Sequence, residues 1–422
     1  MAVVPGYQDG GISGCITVFT MWMLYAVWTV VVKGMAVMLP TLQEQFQTTT
    51  SLIGWVIATT GTAMGLASPF AGLIGRRFGT GASIMMTGFI VGAAVVVGSL
   101  STSIIHLSIS LTLAGVGLGI PTVLTMAAVG QRFTTNYATA VGISKSGSSI
   151  AMLTLVPLIQ LFLDTYGWRG TMMLIGGLSF HLVVCGALMV VVDKNLPHTH
   201  AYIAMEQNED HSENDVTSRC GTFWKYVTHN LDLKLLRNMC YWAAAAIYCV
   251  NYTVFDMWII FFVSMAQSKG FSPEDAAIFV TVAGVFNLIS KLIQGYLIDR
   301  VFRSCWAPLC VMTIVSSAML IATPWLNSYW LLMTSSSIFM FCIGITTCLQ
   351  DVLFKQIFGA ELLSGIFGWF GIKLTILRLC VEFIPGWFYD MSGTFNEAFI
   401  FIGTAAAVPL IPLVAYRYFK IV

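Results

Sequence analysis

Gly295-Tyr296-Leu297-Ile298-Asp299-Arg300 closes one long apolar run, and Gly72-Leu73-Ile74-Gly75-Arg76-Arg77 closes another 223 residues earlier. The same offset carries Tyr166 onto Tyr389 and Gly170 onto Gly393, each pair again in a turn between apolar runs. A chain that repeats its turns at one large offset is built from two similar halves. Reading outward from these turns, the apolar runs on either side of them decide the fold class.

The chain has 422 residues, of which 57% are hydrophobic and only 9% charged. Soluble domains carry about 25% charged residues. The net charge of +1 gives no reason to expect nucleic acid as a partner. The composition instead fits a surface solvated by membrane lipid. A helix needs about 20 apolar residues to cross a bilayer core. Twelve segments qualify: 15–38, 52–74, 81–100, 106–130, 139–162, 170–192, 239–265, 275–298, 304–323, 329–353, 363–388 and 396–418. The alternating ten-residue strands of a membrane barrel are absent. The expected fold is therefore an all-α polytopic membrane protein, with twelve transmembrane helices in two six-helix pseudo-symmetric halves. The halves are 1–192 and 238–422, with a polar linker at 193–237.

That linker carries His198, His200, His211, Glu206, Glu209, Asp210, Glu213 and Asp215. Its polarity predicts a solvated, disordered connection or a short surface helix. A metal site on the histidines is the less favoured reading. The ten cysteines show no CxxC spacing, so neither zinc nor redox chemistry is indicated. The start of the chain has no basic n-region or cleavage site, so the first span is expected to remain as a signal anchor.

Basic residues outside the spans divide unevenly. With the N-terminus inside, thirteen fall on the cytoplasmic side, from Arg76 to Lys420, and only Arg169 and Lys269 on the other. The positive-inside rule then places both termini in the cytoplasm.

Five basic residues sit within the spans: Lys33, Lys145, Lys291, Lys373 and Arg378. A charge at that depth costs a few kcal/mol or more, so it usually faces a bundle interior or a watery pathway. The acids at similar depth are fewer: Asp256, Glu382, and Asp351 near a helix end. Excess positive charge points to an anionic substrate. Asp256 lies 223 residues after Lys33, so the repeat places the two on facing helices. A salt bridge between them, a titrating lone carboxylate, and an outer-leaflet Asp in reach of water all remain open. Arg378 and Glu382 are spaced i,i+4, as in an intrahelical ion pair. Lys145, amid Gly142, Ser144, Ser146, Gly147, Ser148 and Ser149, either lines the cytoplasmic mouth of the pathway or reaches headgroups, and the sequence does not separate the two. Trp22, Tyr25, Trp28, Tyr248, Tyr252, Phe255 and Trp258 are candidate cavity aromatics, none assigned.

The Gly-x-x-x-Asp-Arg turn resembles the signature loop of the major facilitator superfamily. The resemblance implies a gating loop that locks neighbouring helices through its acid and its Arg. The copy Gly295, Asp299, Arg300 keeps the acid; the copy Gly72, Arg76, Arg77 has Arg76 where the acid is expected. A closer likeness runs through Asp9-Gly10-Gly11, Lys33, Arg132-Phe133, Leu163 through Gly170, and Gly386 through Gly393. Together these resemble the monocarboxylate transporter family. The resemblance implies a plasma-membrane carrier of small organic anions, coupled or not to protons, and an immunoglobulin-like single-span chaperone as partner. It also implies that Lys33 contacts a substrate carboxylate or relays a proton.

The departures matter. Ile12-Ser13-Gly14 stands where the family shows Trp-Gly-Trp. In the eighth span the family's proton-coupled members carry Asp, then Arg one turn on; here the matching positions are Asn287 and Lys291. Asn287 and Lys291 share one helix face, and Lys291 binds an anion as a compact point charge. Asn287 does not titrate, so uptake driven mainly by the substrate gradient is expected, with Asp256 the obvious replacement acid. No P-loop is present, so ATP drive is not expected. No nucleophile–base or metal constellation stands out, so no enzyme and no cofactor are expected. The alternatives are a facilitative carrier of zwitterionic or neutral metabolites and a transporter-like receptor without turnover.

Overall fold

A computed structural model of the chain describes residues 9–48, 50–194 and 233–418. Most of the linker, with His198, His200 and His211, lies outside the described residues. Its last piece, Leu233–Arg237, is one short 3-10 turn leading into the second half.

Among the described residues the secondary structure is helical throughout, without strands. The first half comprises α1 (Gly11–Val37), α2 (Thr50–Ala67, continued as Phe70–Phe78), α3 (Thr80–Ser99), α4 (Ile104–Arg132), α5 (137–166) and α6 (168–194). The second half comprises α7 (Met239–Ser268), α8 (Pro273–Tyr296, ending in the π turn Leu297–Phe302), α9 (Trp306–Ala322) and α10 (Tyr329–Phe358). It is completed by α11 (Leu363–Val381, continued as Ile384–Ser392) and α12 (Asn396–Ala407, continued as Leu410–Tyr418).

Nine helices among the described residues are long and apolar enough to cross a membrane, and the pair that forms α2, bent by 62°, adds a tenth. One of the nine, Tyr137–Val192, runs 56 residues and is two spans, α5 and α6. Gly167 separates them with φ 65°, ψ 177°, a conformation open to glycine at little cost. With α11 the count reaches the twelve spans expected from sequence.

Caps start the helices where the sequence has short polar residues. Asn238 Oδ1 accepts from Cys240 N–H at 2.9 Å, and Ser272 Oγ accepts from Asp275 N–H at 3.0 Å with Pro273 opening the helix.

Lipid offers no hydrophobic drive between helices, so close backbone packing through small residues takes its place. On α4, a side chain at Gly115 or Gly119 would strike the backbone of Thr60 or Met64 on α2. On α5, Gly147 lies against the Trp22 backbone of α1, and Gly142 against the Lys291 carbonyl of α8. The last contact crosses between the halves.

The two repeat glycines occupy equivalent places. A side chain at Gly72 would meet Ser364 in the first turn of α11, with Oγ at 3.6 Å. One at Gly295 would land on the Thr139 backbone in the first turn of α5. Each half thus sets its repeat glycine against the start of the other half's fifth helix. These contacts join the halves at the end of the bundle where α1 begins, called the inner end below.

Candidate functional site

The site is built where α5 and α1 of the first half meet α7, α8 and α10 of the second. Lys145 lies about two turns into α5. Its Nζ is 2.7 Å from Asp351 Oδ2 of α10, with the side chains 3% and 1% exposed. The same ammonium donates to the Thr347 carbonyl at 2.7 Å and to Tyr252 Oη at 3.2 Å. Neither the mouth nor the headgroup reading of Lys145 describes this. Lys145 instead forms a buried ion pair between the halves. Asp351 was legible as an acid near a helix end, but its partner was not. The signal was available in the polar run Thr346, Thr347, Gln350, Asp351, all buried in α10.

Lys291 is 7% exposed on α8. Its Nζ donates to Ser149 Oγ at 2.9 Å, to Ser148 Oγ at 3.1 Å and to the Lys145 carbonyl at 3.4 Å, all on α5. These acceptors are neutral. Ser149 Oγ in turn donates to Asn287 Oδ1 at 3.0 Å, and Asn287 Nδ2 donates to the Met340 carbonyl at 2.9 Å. The structure therefore brings together the expected pair Asn287 and Lys291, and adds Ser148 and Ser149 of the facing half. Gly344 makes room for Asn287 and Ser290, which lets α10 approach α8.

Asp256 is not set against Lys33. It pairs with Arg378 of α11, within its own half. Arg378 Nε also lies 3.6 Å from Glu382 Oε1, one turn along the same helix. Lys33 has no carboxylate at salt-bridge distance among the described residues, but its charge reaches Glu382. The repeat offset put Lys33 and Asp256 at equivalent positions, yet the longer Arg378 side chain takes the carboxylate first. Lys373 points away from this group. Its Nζ lies 3.6 Å from the Tyr241 ring centroid and 4.0 Å from that of Trp242, a cation–π arrangement.

Of the candidate aromatics, Tyr25, Tyr248 and Tyr252 surround the Lys145–Asp351 pair. Trp258 packs in the core, stacked on Phe262 at 4.4 Å.

The signature turns behave differently. Asp299 accepts from Ala138 N–H at 3.2 Å, Thr139 N–H at 2.8 Å and Thr139 Oγ1–H at 2.6 Å. This sets a carboxylate on the positive end of α5. Arg300 is exposed, as are Arg76 and Arg77 at the copy without the acid. A second acid, Asp9, accepts from the N–H groups of Thr134, Thr135 and Asn136 at 2.6, 3.1 and 2.8 Å. Lys355 of α10 donates to the Phe133 carbonyl and lies over the Tyr137 ring at 4.3 Å. The start of α5 is thus held by the N-terminal segment and by two charged residues of the other half.

Residues 14–378 match the family model of the Major Facilitator Superfamily. Monocarboxylate transporter 12 of Rattus norvegicus is 27% identical over 86% of this chain and 77% of its own. Monocarboxylate transporter 13 of Bos taurus is 22% identical over 94% of this chain and 87% of its own. Among solved structures, the proton:xylose symporter XylE superposes with a TM-score of 0.70 at 13% identity, covering 97% of this chain and 96% of that one. The transporter FucP in its outward conformation gives a TM-score of 0.66 at 14% identity, covering 96% and 99%.

Proposed function

We infer that this chain, which belongs to the major facilitator superfamily, carries small organic anions across the plasma membrane by alternating access, with both termini cytoplasmic. Membership and a likeness to monocarboxylate transporters make it a transporter and not an enzyme. The anionic substrate rests on one observation. Lys291 is buried where the halves meet and, among the described residues, faces only neutral oxygens. A buried cation without a counter-charge is costly, and a substrate carboxylate supplies that charge. Ser148, Ser149 and Asn287 orient it, and Lys33 adds a second positive charge toward the outer end. Asn287 brings no proton of its own, so the substrate enters this site ionised.

The outer group favours a second reading. Lys33, Arg378, Asp256 and Glu382 carry two charges of each sign, a pattern that suits a zwitterion.

Uptake of acetate, L-lactate and pyruvate into vesicles, in competition with zwitterionic metabolites, distinguishes the two readings. Lys291→Ala should lose anion uptake while surface expression persists. Undiminished uptake removes Lys291 from the site.

A further inference from the structure

We propose that Asp351 is the carboxylate that takes up and releases a proton as the halves rock, so that a coupled proton travels on α10. This rests on the reading of the chain as a carrier. In a rocking transporter each half moves largely as a rigid body around the site between them. Contacts inside a half persist through the cycle, and contacts between halves on the closed side break.

The acids at span depth, Asp256, Glu382 and Asp351, divide by this criterion. Asp256 is paired with Arg378, and both belong to the second half. Glu382 stays one turn from Arg378 on its own helix. Asn287 has no proton to exchange. The ion pair of Asp351, by contrast, crosses from α10 to Lys145 on α5. Opening the inner end moves α5 away from α10 and withdraws that cation. The carboxylate then loses the charge that holds it ionised and takes a proton more readily. Its Oδ1 accepts no hydrogen bond among the described residues, which leaves an oxygen available for the proton. The step balances simply: one proton passes from outer-side water to Asp351, giving a neutral carboxylic acid that favours opening of the inner end, and it returns to inner-side water before Lys145 comes back.

The groups facing Asp351 leave Lys145 as its controlling charge. Tyr25 of α1, Tyr137 of α5, and Tyr248 and Tyr252 of α7 surround it, with Cys348 on its own helix. Tyrosine and cysteine ordinarily titrate above neutral pH. Lys291 of α8 reaches Cys348. Lys355, one turn further along α10, is occupied by Phe133 and Tyr137.

Infrared difference spectra of the full chain in lipid vesicles, between mildly acidic and alkaline buffer, read the carboxylic-acid C=O band directly. The band should be present in the wild type, lost in Asp351→Asn and retained in Asp256→Asn. Asp351→Glu should restore it at a shifted frequency. A band absent from the wild type, or unchanged in Asp351→Asn, overturns the proposal. In the same vesicles an inward proton gradient should accelerate uptake of acetate, L-lactate or pyruvate. In Asp351→Asn the ratio of uptake with the gradient to uptake without it should fall to one, whatever the absolute rate. Acceleration that survives Asp351→Asn also overturns it. The double variant Lys145→Gln, Asp351→Asn removes both charges, so a folding defect from an unpaired Lys145 is separable. If the wild type moves none of the three anions, the anion reading fails, and the spectra still decide Asp351.

Discussion

Thr139 gives both its backbone N–H and its hydroxyl to Asp299, at 2.8 and 2.6 Å, across the boundary between the halves. The contact places a charged acceptor on the first turn of α5, where the helix dipole is positive. Hydrogen bonds to a charged group contribute about 1.5–3 kcal/mol each. The signature turn after α8 therefore acts as a latch at the inner end. Its counterpart after α2 has no acid; there Gly72 lies against Ser364.

Asp299→Ala should weaken this latch without unfolding either half. A cysteine introduced at Thr139 should react faster with a membrane-impermeant thiol reagent applied from the inner side. Unchanged labelling would argue against a latch.

Asp9 gives a pH prediction. Burial works against its charge, but hydrogen bonds from Thr135, Thr134 and Asn136 outweigh that and hold the carboxyl below the usual carboxylate range. A depressed acid contributes stability that is complete above its unfolded value of about 4. That contribution is lost as pH falls through the lower folded value. Asp9→Ala should therefore destabilise the protein by about 0.5–2 kcal/mol, as for a lost helix cap. The deficit in thermal stability should stay constant from neutral to mildly acidic buffer.

Asp256 and Arg378 should tolerate exchange better than loss. Removing one partner of a buried pair strands the other, at about 3–5 kcal/mol; partial exposure of Arg378 puts the expected cost below that range. Transport by Asp256→Asn should fall, and the swap Asp256→Arg with Arg378→Asp should recover part of it. The swap Lys33→Asp with Asp256→Lys should recover none. Recovery by the second swap would restore Lys33 as the partner.

Gly142→Ala tests the packing of α5 on α8. The added methyl would strike the Lys291 carbonyl, and overpacking typically costs about 1–3 kcal/mol. The cost falls on the inner-closed state alone, because this contact crosses between the halves. Inner-side cysteine labelling should rise, with thermal stability changing less than in Gly147→Ala, whose contact lies within the first half.

Much of this molecule was legible in one dimension, because lipid admits few solutions. Each spanning backbone must satisfy its own hydrogen bonds, so twelve apolar runs of sufficient length mean twelve helices. The repeated turns gave the halves, and Asn287 and Lys291 met on one face because helix geometry fixes i,i+4 neighbours. The intrahelical Arg378–Glu382 spacing was readable for the same reason. Partners across helices were not. Lys145 finds Asp351 some 200 positions away, and Asp256 turns to Arg378 instead of Lys33, because side-chain reach and helix rotation decide such pairs. Sequence alone determined which helices form and which charges they bury. Tertiary structure decided which charges meet, and so which pairs persist and which break as the halves move.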